Sequence, residues 1–345
     1  LFNRRVTATL TVLAIAVRVA LLLGVQKLRT EARESFASTI SGTDLIVGAR
    51  SGPVNLLLYS VFRIGDPTSN ISWQSYQLVA RHPDVAWTIP ISLGDSHRGY
   101  RVVGTTGAYF EHYRYGERRP LAFSAGGPFS NLHDAVVGAE VARALGYSVG
   151  ERITIAHGIG EGSFAEHDDQ PFKVVGVLAP TGTPVDRSVH VSLEAITAIH
   201  EGWESGMRAP AIGAPPGEAL AAADLTPKAI TAFLVGLDSR AAVFQMQRAL
   251  NEYRGEALSA VIPGVALQQL WQVVGIADTA LLLVAACVVV AGLLGMVTAL
   301  LTSLNERRRE MAILRSVGAR PRHVFLLLEF EAALLAAAGV AAGFL

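Results

Sequence analysis

The segment Ser303-Leu-Asn-Glu-Arg-Arg-Arg-Glu-Met-Ala-Ile-Leu-Arg-Ser-Val-Gly-Ala-Arg-Pro-Arg-His323 decides how the rest of the chain is read. Between residues 306 and 322 it holds six arginines and two glutamates, and no uncharged run there exceeds four residues. The preceding stretch 279–305 carries no charge, and a second apolar run begins at residue 323. A short arginine-rich loop between two membrane spans marks the cytoplasmic side. The spacing inside the loop is helical: Glu306 with Glu310, and Met311 with Leu314 or Arg315, lie three or four residues apart. Met311, Ala312, Ile313 and Leu314 give an apolar patch, and Arg307, Glu310 and Arg315 a polar face. Gly318 fits a helix end, and Pro321 fits a stop shortly after it. Spacing alone leaves two readings: a compact amphipathic helix that docks on a protein, or a topology signal whose partner is lipid head groups.

Composition sets the outer limits. The chain has 345 residues, 51% of them apolar, and no formal net charge. That length exceeds one ordinary small domain. An even spread of charge argues against nucleic acid as a partner. The only cysteine, Cys287, lies in an apolar run, so an intramolecular disulfide is excluded and compartment must come from topology. The sequence starts at Leu1 without a methionine and stops at Leu345 inside an apolar run, which reads as a fragment or a chain with trimmed ends.

Working outward from the loop, residues 276–304 form one apolar run and 323–345 another, the latter with Glu329 and Glu331 near its inner end. Asn3-Arg4-Arg5 precedes a further apolar run, 6–25, of about the twenty residues a span needs. Arg18 interrupts it, which is costly unless the side chain snorkels or faces a partner helix. No small-x-small cleavage site follows Gly24, so an uncleaved first span is preferred over a signal peptide. Between the first and second spans lie alternating strand and turn patterns. Residues 44–49 read as a strand and 73–81 as a helix. Strands at 87–93 and 100–103 flank a turn at 94–99. Further strands fall at 135–138, 152–156, 172–178 and 188–192, with a short helix at 140–145 stopped by Gly146. The apolar run 53–62 is too short to span and reads as a core helix, with an exposed element for a partner or lipid as the other reading. A Gly/Pro/Ala-rich linker covers 201–226, and a strand–helix–strand unit at 232–262 should pack beside the elements at 44–103. Expected limits are therefore a first transmembrane helix at 1–25, an α+β domain with stalk helices at 26–272, a second transmembrane helix at 273–304, the loop at 305–322 and a third, truncated one at 323–345.

At this point the residues resemble a known family. Asn305 to Ala319 is similar to the cytoplasmic signature of FtsX-like permeases, the MacB-type membrane subunits of ABC transporters. The family pattern, roughly E-R-x-x-E-x-x-x-x-R-x-x-G-A, falls on Glu306, Arg307, Glu310, Arg315, Gly318 and Ala319. The long insert resembles the family's periplasmic core domain. The matching pieces are Gly104-Thr105-Thr106 leading to Tyr109-Phe110, Val137-Gly138-x-Glu140, Leu145-Gly146, Gly150-Glu151-x-Ile153, and the strand Phe172 to Leu178. Residues 158–170 and the segment after Glu201 carry no recognisable motif. The resemblance implies a helical membrane protein, four spans in the family and three present here, with an inserted α+β periplasmic domain. It implies a bacterial inner-membrane location, a separate cytoplasmic ABC ATPase as partner, and a second permease copy in a homodimer. A periplasmic protein or lipoprotein partner is also implied, for export or for handling of that substrate. Glu306, Arg307, Glu310, Met311, Leu314, Arg315, Gly318 and Ala319 would be the ATPase-coupling residues.

The chain has only three lysines, Lys27, Lys173 and Lys228, and none sits in a phosphate-cradling G-x-x-x-x-G-K-[ST] loop. No cofactor is therefore expected in this chain, ATP and magnesium belonging to the partner subunit, and no catalytic residue is assigned. A G-x-S-x-G nucleophile elbow is also missing. Eight of the nine histidines lie in the insert. His167-Asp168-Asp169, with His157 ten residues earlier, are the candidate metal ligands. They lack short zinc-type spacing, and surface histidines are the plainer reading. Two alternatives of other classes stand beside the permease: a membrane-anchored periplasmic module that binds a ligand or zinc, and an outer-face enzyme anchored by the spans.

Overall fold

The structure is a computed structural model and describes residues 5–158, 170–200, 224–306 and 308–344. The chain divides into two units, Leu1–Arg33 with Gln272–Leu345, and Glu34–Trp271.

The second unit is α+β. Its first sheet has four antiparallel strands in the order Leu258–Val261, Leu45–Ala49, Ala232–Leu237, Val85–Ile91. Both ends of the unit's sequence thus meet in one sheet, as the strand–helix–strand reading of 232–262 requires. Successive side chains on a strand point to opposite faces. Leu45, Val47 and Ala49 accordingly pack with Tyr76 and Val79 of helix Trp73–Ala80 and with Met246 and Leu250 of helix Val243–Asn251. Ile46, between them, joins the core on the other side.

The second sheet has eight strands and mixed pairing. At its centre Ser188–Ser192 lies parallel to Tyr100–Thr105 and antiparallel to Asp134–Val137. Val189 and Val191 pack with Val141 of helix Ala139–Leu145 and Ile199 of helix Leu193–His200. The run read as one strand at 152–156 is in fact two. Arg152–Ile153 pairs with Phe172–Leu178, and Ala156–His157 pairs with Asp95–His97. The two short strands are the opposite ends of the strand order, so one segment supplies both edges of the sheet, each only two residues long. The expected turn at 94–99 is also corrected. It contains the strand Asp95–His97, and the reversal is only Arg98-Gly99, with φ of 47° and 84°. Two positive φ values give the turn whose twist matches a two-residue hairpin.

Helix Pro53–Phe62 lies in the core shared by the two sheets. Leu56, Leu57, Tyr59, Val61 and Phe62 are buried there with Ile89, Ile91 and Leu234 of the first sheet and Val103, Val136 and Leu178 of the second. The core reading of this apolar run is therefore the right one.

The first unit is helical. Arg5–Ser38, Pro263–Glu306 and Pro321–Phe344 are long helices, and Ala8–Lys27, Pro263–Gly295 and Pro321–Phe344 are long and apolar enough to cross a membrane. Stalk and second apolar run form one continuous helix. Small residues let these helices approach closely. A Cβ at Gly339 would lie 2.6 Å from Ile15 Cβ, and one at Gly343 would lie 2.7 Å from the Ala16 carbonyl oxygen. Arg18 is half-buried with its guanidinium against Gly292, where a Cβ would lie 2.1 Å from Nη1. The charge that interrupts the first apolar run thus faces a partner helix.

Candidate functional site

The arginine-rich loop folds as the helix Arg308–Ser316, directly after the second long helix, which ends at Glu306. Its end is fixed by the sequence. Gly318 adopts φ 97°, donates its N–H to Arg315 O at 3.1 Å, and the Ala319 N–H reaches Leu314 O at 3.0 Å. Those two bonds are the Schellman closure, with the left-handed position that glycine occupies at least cost. Pro321 is not a simple stop. It opens the next helix, where its missing N–H costs nothing and its fixed φ suits the first turn. Arg320 N–H meets His323 Nδ1 at 3.3 Å across that start.

The signature residues are thereby brought onto one short, capped segment. Glu306 closes the second long helix, Glu310, Met311, Leu314 and Arg315 lie on the loop helix, and Gly318 and Ala319 form its cap. Arg307 lies outside the described residues. Ile313 is 59% exposed, Leu314 43% and Val317 83%. Val317 extends the apolar patch and was missed in the sequence reading, although its spacing of four from Ile313 is the helical signal. Ile313, Leu314 and Val317 thus form an exposed apolar set on a segment that also carries arginines.

The metal candidates are less developed. His157 ends the short strand Ala156–His157, and His167, Asp168 and Asp169 lie outside the described residues. Among the described residues no three potential ligands converge. Other histidines of the α+β unit have structural settings. Burial and the Arg63 charge push His190 down to about 3, so it sits uncharged against Tyr109, ring centroids 4.9 Å apart. For His200, burial lowers the pKa, but the hydrogen bond and charge of Asp95 and the Ile196 carbonyl outweigh it and raise the imidazole above its usual value. Its Nε2 lies 3.4 Å from Asp95 Oδ1.

Comparisons with known proteins fit this arrangement. The family model for the MacB-like periplasmic core domain matches residues 8–253, and that for the FtsX-like permease C-terminal region matches residues 282–345. The chain belongs to the MacB/FtsX-type family of ABC transporter permeases. Members are inner-membrane proteins with a periplasmic domain, and in general they work as dimers with the ATPase in a separate subunit. Similar solved structures include the periplasmic region of MacB from Actinobacillus actinomycetemcomitans, at 11% identity over 67% of this chain and 94% of that one, TM-score 0.42. Another is the extracellular domain of the noncanonic ABC-type transporter YknZ from Gram-positive bacteria, at 12% identity over 64% and 99% of the two chains, TM-score 0.37. No curated protein matches the chain significantly.

Proposed function

We propose that this chain is a permease subunit of the mechanotransmission type. A separate cytoplasmic ATPase closes on ATP and magnesium, presses on the segment Glu306 to Ala319, and drives movement of the periplasmic α+β domain. In this reading the three long apolar helices span the membrane, with the arginine-rich loop inside and the α+β domain outside. Two copies would present two loops to a pair of ATPase subunits. The substrate class is export cargo or a lipoprotein handled on the periplasmic side.

The observation that carries the reading is the capped helix Arg308–Ser316 with Ile313, Leu314 and Val317 open to solvent. An apolar stripe beside arginines also suits a helix lying on lipid. The Schellman cap, which fixes where the helix ends, favours a rigid docking element. Continuity of the helices Arg5–Ser38 and Pro263–Glu306 past the limits of the helical unit supports transmission along them.

The test is co-purification of the detergent-solubilised chain with its ATPase, and ATPase rate in proteoliposomes. Glu306→Lys and Ile313→Asp should each lose the bound ATPase while the permease still inserts and keeps its melting temperature. Undiminished binding and ATPase rate in both variants would overturn the assignment.

A further inference from the structure

We propose that a cleft in the α+β unit, beside the hairpin Arg114–Tyr115/Arg119–Pro120, is a binding site for a phosphate-bearing anion. The cleft has a volume of about 600 Å³ and is lined by Arg114, Arg118 and Arg240 together with Trp87 and His112. This site is separate from the loop helix and does not rest on the function proposed above.

One wall of the cleft is a built platform. Trp87 and Gly236 are direct partners on neighbouring strands. A Cβ at 236 would lie 2.1 Å from the indole, so the ring lies against the glycine in space that any other residue would fill. The His112 ring stacks on the same indole, with centroids 5.3 Å apart and planes 3° from parallel.

The arginines supply the charge. Arg118 holds a left-handed backbone, φ 59°, at the tip of the hairpin, a conformation that a residue with a Cβ adopts at a cost. Among the described residues neither the Arg118 nor the Arg240 guanidinium makes a hydrogen bond or an ion pair. Arg114 donates one N–H to the Tyr113 carbonyl at 3.0 Å, which steadies it and leaves its remaining donors. Two carboxylates also line the cleft. Asp44 is engaged, its Oδ2 accepting the Leu237 N–H at 2.8 Å. Asp238 is the remaining opposing charge.

Three planar forks around one space match the oxygens of a phosphate, which accepts several N–H donors at once. Asp238 repels any anion, so the attraction comes from the three guanidinium groups, which outnumber the two carboxylates of the lining. The same chemistry is offered by a soluble phosphate monoester and by the head group of an anionic phospholipid.

The experiment uses the full chain in detergent and reads ³¹P line broadening of inorganic phosphate. Wild type should broaden the line, and raised salt should reverse the effect because the guanidinium groups are solvent-screened. The double variant Arg118→Gln/Arg240→Gln should bind at least tenfold more weakly. Arg119→Gln, on the same hairpin but outside the cleft lining, should match wild type, and equal melting temperatures control for folding. Native mass spectrometry from micelles of phosphatidylglycerol or phosphatidylcholine separates the sources. Retained phosphatidylglycerol that the double variant loses assigns a lipid head group, and phosphate binding without lipid retention assigns a soluble ligand. Phosphate and phosphatidylglycerol binding that is absent from wild type, or equal in wild type and double variant, overturns the proposal.

Discussion

His200 and Asp95 show how two opposed effects on one side chain are weighed. Burial disfavours the imidazolium, yet the Asp95 carboxylate, itself only 4% exposed, needs a cationic partner more. A raised folded pKa means that the folded chain holds the proton more tightly than the unfolded one. The stabilisation is complete below the unfolded value of about 6.5 and is lost as pH climbs through the folded value. Histidine-selective NMR titration should place His200 above the ordinary range, and Asp95→Asn should bring it down to or below that range. An unchanged titration in the variant would rule out the pairing. Nothing in the sequence linked these two residues, because they meet only when the second sheet assembles. Gly318 is the contrasting case. A glycine followed closely by proline announced a helix end, and the φ of 97° supplies the reason. Gly318→Ala should cost about 1 kcal/mol locally and speed exchange of the Ala319 amide roughly fivefold.

Elements carry a different kind of information from residues. Helix Pro53–Phe62 is apolar but only about half the length of a span, and that arithmetic excluded a span, while ordinary burial preferred a core over an exposed element. Leu56→Ala removes a fully buried side chain there and should lower unfolding stability of the α+β unit by about 2–5 kcal/mol, read as a shift of the denaturant midpoint. The strands at 172–178 and 188–192 were legible because their apolar residues alternate or run together. Asp95–His97 was not, since Asp-Ser-His carries no apolar signal and is a strand only because both neighbours pair with it. The loop helix was legible in its spacing and its cap. Val317 was overlooked because it sits at the cap, beyond the charged run that drew attention. Val317→Asp should leave the helix intact, since the residue is 83% exposed, and should weaken ATPase co-purification at least tenfold.

For the molecule as a whole, charge distribution told more than composition. Zero net charge excluded little, whereas arginines gathered between two apolar runs gave the expected orientation of the chain. That orientation has a direct check. In a Cys287→Ser background, Ser316→Cys and Glu117→Cys are both exposed positions, one on the loop helix and one on the α+β unit. Impermeant thiol reagents added to intact inner-membrane vesicles should label them from opposite sides, and labelling from the same side would end the proposed topology. The way the two long helices join the α+β unit has a mechanical outcome. The strand Leu45–Ala49 follows the first helix and Leu258–Val261 precedes the second, and they lie side by side with Ile46 opposite Val261 and Ala49 opposite Leu258. Antiparallel neighbours leave both helix junctions at the same end of that ladder. Parting the two junctions therefore loads the pair Ile46–Val261 first and opens the ladder rung by rung toward Ala49–Leu258, like a zip.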